Sequence, residues 1–85
     1  MKVTILFFAS LREQLGTPRE QLELPASVAT VGALREHLRA RGGPWASVFA
    51  PNKPVRAAVN QDMVQPAAAI KAGDEIAFFP PVTGG

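Results

Sequence analysis

The sequence contains no cysteine, and this absence removes several kinds of chemistry from the chain itself. Disulfide bonds, a thiolate nucleophile and cysteine-based metal sites are all excluded within its 85 residues. A small domain that is built without disulfides fits a reducing compartment, so we expect a cytoplasmic protein.

Histidine is nearly absent as well, since it occurs only at position 37. The sequence offers no Ser–His–Asp set and no paired carboxylates in an evident cleft, so it does not indicate an enzyme that works alone. His37 falls within a predicted helix and is expected to be a partly exposed surface residue. No constellation of metal ligands accompanies it, and we predict neither a metal site nor a bound cofactor.

Charged residues are scarce, at 19% of the chain against about 25% in an average soluble domain. Lysine and arginine outnumber aspartate and glutamate by nine to seven, which is a small excess. The nearest approach to a basic cluster is Arg35, Arg39 and Arg41, which are spread along one predicted helix. We therefore expect no nucleic-acid binding.

No long hydrophobic run is present. The apolar segment at residues 1–8 is far shorter than the roughly 20 residues of a membrane span, so no membrane association is expected. The length allows one small domain. Hydrophobic residues nevertheless make up 47% of the chain, and part of this content is expected on the surface, facing a partner.

Hydrophobic periodicity predicts the secondary structure. Strands are predicted at residues 3–8, 20–24, 55–60, 63–64 and 76–79, and helices at 11–15, 31–41 and 45–50. Ser10 and Glu13 have the spacing of a capping box, and Thr30 is the predicted N-cap of the longer helix. Two strands, a covering helix and returning strands predict an α+β fold of the β-grasp (ubiquitin-like) type, with a mixed sheet and one main helix on one face.

Alternation along the strands predicts that the helix covers only one face of the sheet. The residues predicted on the uncovered face are Leu6, Phe8, Ala58, Met63 and Phe79, with Arg12 and Arg56 nearby. Aromatic residues and methionine with a rim of arginine are typical of a protein interface. We predict that Phe8, Arg12, Met63 and Phe79 bind a partner protein.

The C-terminal segment departs from the sheet. Pro80 and Pro81 lack the N–H that a sheet ladder needs, so the domain is predicted to span residues 1–79. The remaining residues form a predicted flexible tail, Pro80, Pro81, Val82, Thr83, Gly84 and Gly85, which could reach about 20 Å when extended. The Gly84–Gly85 pair carries no side chains and would allow the tail to enter a narrow site.

The tail resembles a known family when it is read with the strand before it. The string FFPPVTGG at residues 78–85 closely resembles the C-terminus of the small, sulfur-carrying subunits of molybdopterin synthase. Residues 6–13, 58–61 and 73–79 resemble other segments of the same family, in the same order. Residues 42–44 and 65–69 differ from the family and are predicted to lie in connections.

This resemblance implies that the chemistry takes place at Gly85. An E1-like activating enzyme would use ATP to adenylate the Gly85 carboxylate, and a sulfur donor protein would displace AMP and leave a thiocarboxylate. The chain would then bind the large subunit of molybdopterin synthase, as part of a heterotetramer, and donate the sulfur to cyclic pyranopterin monophosphate during molybdenum cofactor biosynthesis. It would thus be the sulfur-donating subunit of a heteromeric transferase.

Two alternatives remain open from the sequence. Sulfur carriers that serve thiamine synthesis or tRNA thiolation share the terminal Gly-Gly pair and its activation chemistry. A β-grasp interaction module without covalent chemistry would share the fold but would tolerate loss of Gly84 and Gly85.

Overall fold

A computed structural model describes residues 1–81 of the chain. Its elements are β1 (Lys2–Phe7), α1 (Ser10–Leu15), β2 (Arg19–Glu23), α2 (Val31–Arg39), α3 (Pro44–Val48), β3 (Arg56–Val59), β4 (Asp62–Val64) and β5 (Glu75–Phe79). The predicted elements all form, and no boundary differs from the predicted one by more than two residues. No helix within residues 1–81 is both long enough and apolar enough to cross a membrane.

The five strands form one mixed sheet in the order β2-β1-β5-β3-β4. Strands β1 and β5 are parallel neighbours at its centre, and the other pairs are antiparallel. With α2 as its main helix, this is the predicted β-grasp fold. Because Phe7 lies opposite Phe78, the carboxyl ends of β1 and β5 meet at one end of the sheet, which we call the tail end.

The inward side chains of the sheet and helix α2 form the core. Ile5, Ile76, Leu34 and Leu38 are fully buried, and the aromatic rings of the core gather around Phe49. The Phe49 ring lies 5.1 Å from that of Phe78 and 6.5 Å from that of Phe7, in tilted or edge-on geometry. Edge-on aromatic contacts add to the stabilisation that burial alone provides. The predicted inward alternation of β1 and β5 is confirmed.

The N-terminus of α1 differs from the predicted capping box. Ala9 is the N-cap residue with φ at 54°, and no side chain caps the helix. The chain turns sharply as it leaves β1, and Ser10 is already the first helical residue. A side-chain cap requires an extended residue just before the helix, so the prediction for Ser10 and Glu13 was wrong.

The N-terminus of α2 is capped as predicted and is also closed by a distant loop. The Thr30 hydroxyl accepts a hydrogen bond from the Ala33 N–H at 3.1 Å. The next free donors reach residues 65–69, where Gly32 N–H donates to the Pro66 carbonyl at 2.8 Å and Val31 N–H to the Ala68 carbonyl at 3.0 Å. The loop at residues 65–69 therefore accepts hydrogen bonds from two of the N–H groups that every helix leaves unpaired in its first turn.

Candidate functional site

One row of side chains crosses the helix-free face of the sheet near the tail end. In the strand register Arg19 lies opposite Leu6, Leu6 opposite Ala77, Ala77 opposite Ala58, and Ala58 opposite Met63. The row is apolar from β1 to β4, and its last side chain, Met63, is 57% exposed. An arginine closes it at the other edge.

A second group lies beyond this row, at the tail end itself. Phe8 follows β1 and donates its N–H to the Phe78 carbonyl at 3.1 Å, which places it beside the end of β5. Its side chain is 46% exposed, and Phe79 on β5 is half-buried opposite Arg56. Leu6, Phe8, Met63, Ala77 and Phe79 are called the docking patch below.

Ala58 is a correction within this face. Its register partners, Met63 and Ala77, place it on the predicted outer side, but it is only 7% exposed. Its methyl group lies between Met63 and Ala77 on the two neighbouring strands, so Ala58 supports the patch while offering little surface to a partner.

The other half of the same face is polar. Lys2 lies opposite Glu23, and Thr4 lies between Gln21 and Glu75. The helix-free face is therefore divided, with apolar side chains gathered next to the point where the chain leaves the sheet. A partner that buried the apolar half would be held close to the tail.

Arginines border the docking patch. Arg56 is exposed on β3, and Arg12 is exposed on α1, the helix that begins two residues after Phe8. Neither side chain takes part in an ion pair within residues 1–81. These charges remain available to an acidic partner surface, which agrees with the composition of interface rims.

The three arginines that were predicted to lie along one helix do not form a common basic surface. Arg35 donates hydrogen bonds to the backbone carbonyls of Phe49, Ala50 and Lys53. Arg39 pairs with Glu36 on its own helix. Arg41 pairs with Glu20 and lies 4.4 Å from the centre of the Trp45 ring, and the hydrogen bond from Arg41 lowers the pKa of Glu20. Each guanidinium is thus held by a different part of the molecule.

A polar network behind the site joins two segments on which the family resemblance was based. The Asn60 amide donates to the Asp74 carboxylate at 3.0 Å and accepts from the Glu75 N–H at 3.0 Å. Asp74 also accepts from the Lys71 N–H at 2.9 Å, and it is only 4% exposed. Burial opposes its ionisation, but these hydrogen bonds outweigh that effect and lower the pKa of Asp74. The network holds the β3–β4 turn against the start of β5.

The structure describes the beginning of the predicted tail. Pro80 and Pro81 are half-buried after β5, and both line a pocket of about 460 Å³ beside Leu11 and Lys53. The predictions for Val82, Thr83, Gly84 and Gly85 fall outside the described residues. Within residues 1–81, no three acidic, histidine or cysteine side chains are grouped so that they could hold a metal ion.

Comparison with known proteins identifies the family. The ThiS family matches residues 5–85, nearly the whole chain. The chain belongs to the ThiS family. This ThiS-family chain is 47% identical over 83 residues to the molybdopterin synthase sulfur carrier subunit of Haemophilus influenzae, across 98% of this chain and 99% of the relative. It is 46% identical over 83 residues to the subunit of the same name from Escherichia coli, with the same coverage.

A solved structure supports the same assignment of the fold. The solution structure of the HVO 2177 protein from Haloferax volcanii is 31% identical and superimposes with a TM-score of 0.82, over all of this ThiS-family chain and 87% of the other. The resemblance to molybdopterin synthase sulfur carriers that the sequence suggested is confirmed.

Proposed function

We propose that this chain carries sulfur for molybdopterin synthase on its C-terminal glycine, Gly85. The observation that carries the proposal is the position of the docking patch at the tail end of the sheet. A partner seated on Phe8, Met63 and Phe79 would lie next to the segment that begins at Pro80. End-to-end similarity to sulfur carrier subunits supports the same function.

The chemistry follows from the weakness of a carboxylate as an electrophile. An E1-like enzyme transfers AMP from ATP to the Gly85 carboxylate, which forms a mixed anhydride and releases pyrophosphate. A sulfur donor protein then delivers sulfur at the oxidation level of sulfide, which attacks the anhydride carbonyl, so that AMP leaves and Gly85 becomes a thiocarboxylate. The thiocarboxylate sulfur attacks a carbon of cyclic pyranopterin monophosphate and displaces the oxygen bonded there. Water then cleaves the bond between the Gly85 carbonyl and sulfur, which leaves the sulfur on the pterin and returns Gly85 to a carboxylate.

In this scheme the chain supplies the reacting atom and the docking surface, and its partners supply the acid–base groups. The large synthase subunit, in a heterotetramer, and the activating enzyme use the docking patch in turn. Because each cycle depends on ATP, we place the protein in the cytoplasm. The identities of 46–47% to molybdopterin synthase subunits favour this pathway over thiamine synthesis or tRNA thiolation.

The docking step is tested by Phe8→Asp and by Phe79→Asp. Each variant places a charge in an apolar interface, and we expect binding to the large subunit, measured by titration calorimetry, to weaken by tenfold or more. Gln21→Asp is the matched control, because Gln21 is an exposed residue on the polar half of the same face. Unchanged affinity in both phenylalanine variants, with the fold intact, would exclude the docking patch as the interface.

The covalent step is tested in a reconstituted sulfur-transfer assay with the large subunit and the activating enzyme. Deleting Gly85, or extending the chain by one alanine, removes the correctly placed glycine carboxylate and is expected to abolish product formation while binding persists. A variant that still formed product without Gly85 would favour the non-covalent interaction module.

A further inference from the structure

Strand β2 forms one edge of the sheet, and no other strand within residues 1–81 lies on its outer side. The two ends of its ladder with β1 show which backbone groups point inward. Phe7 N–H donates to the Pro18 carbonyl, and Met1 and Leu24 exchange two hydrogen bonds. Hydrogen-bonded and non-hydrogen-bonded pairs alternate along an antiparallel ladder. The residues whose N–H and carbonyl groups point away from β1, toward the open edge, are therefore Arg19, Gln21 and Glu23.

The charges along this open edge are arranged symmetrically. Arg19, Gln21 and Glu23 are all exposed on the helix-free face. Arg19 forms no ion pair within residues 1–81. The Glu23 carboxylate lies 2.8 Å from the Met1 ammonium group, yet the Glu23 side chain remains 70% exposed. A free cation and an accessible anion thus lie at equal distances on either side of Gln21.

This arrangement is complementary to itself. If a second copy of β2 lies antiparallel along the open edge with Gln21 opposite Gln21, Arg19 of each copy lies opposite Glu23 of the other. Each of these pairs exchanges two backbone hydrogen bonds, because only outward-pointing residues meet in this register. Glu23 then lies between Lys2 of its own β1 and Arg19 of the second copy. A shift of two residues in either direction would remove both charge pairs, so the register is specified.

The ends of β2 limit the pairing to its five residues. The next outward-pointing position after Glu23 is Pro25, which has no N–H to donate. At the other end, the Arg19 carbonyl accepts from the Thr17 hydroxyl at 2.9 Å and keeps a second lone pair for another strand. So short an interface is smaller than that of a stable dimer, and we expect a dissociation constant of about 0.1–1 mM.

We propose that this chain forms a weak symmetric dimer, in which the β2 strands of two copies pair antiparallel about Gln21 and join the two sheets into one. The helix-free faces of both copies then lie on the same side. Phe8, Met63 and Phe79 take no part in the strand pairing, and β4 lies at the opposite edge of each sheet. The dimer therefore presents two docking patches, one toward each end of the shared face.

The pairing is tested by amide hydrogen exchange, measured by NMR while the protein concentration is raised through about 0.1–1 mM. Exchange at Arg19, Gln21 and Glu23 should slow about fivefold when about four-fifths of the chains are dimeric, because their N–H groups exchange only in the monomer. Met63 is the internal control, since it lies on β4 at the other edge of the sheet. Its exchange should not depend on concentration.

Charge reversal tests the register. Arg19→Glu and Glu23→Arg each place like charges opposite one another at both ends of the paired strands, and each should weaken the dimer about tenfold or more. An equal mixture of the two variants restores opposite charges in the mixed dimer and should restore the association, as sedimentation would show. Arg56→Glu is the matched control, because it makes the same change of charge on β3 and should leave the association unchanged.

Three outcomes would overturn the proposal. One is a chain that remains monomeric throughout the concentration range, and another is a mixture of the reversed variants that associates no better than either alone. The third is an association that Phe8→Asp abolishes and Arg19→Glu does not change, which would assign the contact to the docking patch. The dimer requires neither sulfur nor a partner protein, so its absence would leave the sulfur-carrier function untouched.

Discussion

Replacing Asn60 removes the side chain that joins the β3–β4 turn to the start of β5. Two hydrogen bonds are lost, one to the Asp74 carboxylate and one from the Glu75 N–H, each 3.0 Å long. A hydrogen bond to a charged group contributes about 1.5–3 kcal/mol and a neutral one about 0.5–1.5 kcal/mol. We therefore expect Asn60→Gly to lower the free energy of unfolding by about 2–4 kcal/mol, which corresponds to a fall in Tm of roughly 10–20 °C.

Glycine is the appropriate substitution because Asn60 has φ at 50°, a conformation that glycine adopts without strain. Asn60→Ala should be less stable still, since alanine adds the cost of this left-handed backbone to the loss of the hydrogen bonds. Comparing the two variants separates the contribution of the side chain from that of the backbone.

The effect should depend on pH, because the folded state lowers the pKa of Asp74. A lowered carboxyl pKa stabilises the folded state above the ordinary value of 3.8, and this contribution is lost as pH falls through the folded-state pKa. Chemical denaturation followed by circular dichroism should show a wide gap between the parent chain and Asn60→Gly at neutral pH, and a narrower gap in strong acid. A gap of the same size at both pH values would refute the assigned role of the Asn60–Asp74 hydrogen bond.

Three further substitutions test other parts of the account. Thr30→Ala should lower the free energy of unfolding by about 1 kcal/mol because the α2 cap is lost, whereas Thr30→Ser should keep the cap and the stability. Thermal unfolding measures both variants, and equal Tm values for the two would contradict the capping role. Phe49→Ala should lower the free energy of unfolding by about 3–5 kcal/mol, because Phe49 is fully buried among the core aromatics. A decrease below about 1 kcal/mol in a denaturant titration would contradict this. Met63→Ala should change the free energy of unfolding by less than about 0.5 kcal/mol yet weaken binding to the large subunit. A large loss of stability with unchanged binding would instead indicate that Met63 belongs to the core.

Local features of the fold could be predicted because they depend on near neighbours in the sequence. Thr30 caps α2 through a donor three residues away, and the inward alternation of β1 follows from the two-residue period of a strand. The exposed positions of Phe8 and Met63 follow from the same period. These features need no knowledge of distant contacts.

Features that depend on distant segments could not be predicted. The pairing of Arg41 with Glu20 joins residues 21 positions apart, and the Asn60–Asp74 bond spans 14. The burial of Ala58 depends on its position between two other strands, β4 and β5, which alternation along its own strand does not describe. The capping box at Ser10 was wrong because the left-handed backbone of Ala9 is imposed by the turn after β1, and nothing in the alanine itself indicates it.

The measurement that tests the central claim most directly is the intact mass of the chain after incubation with ATP, the activating enzyme and a sulfur donor. We predict a species heavier by one oxygen-to-sulfur exchange, located at Gly85 by fragmentation and absent from a chain in which Gly85 is deleted. An unmodified mass, under conditions in which the Escherichia coli relative is converted, would contradict the assignment of this chain as a sulfur carrier.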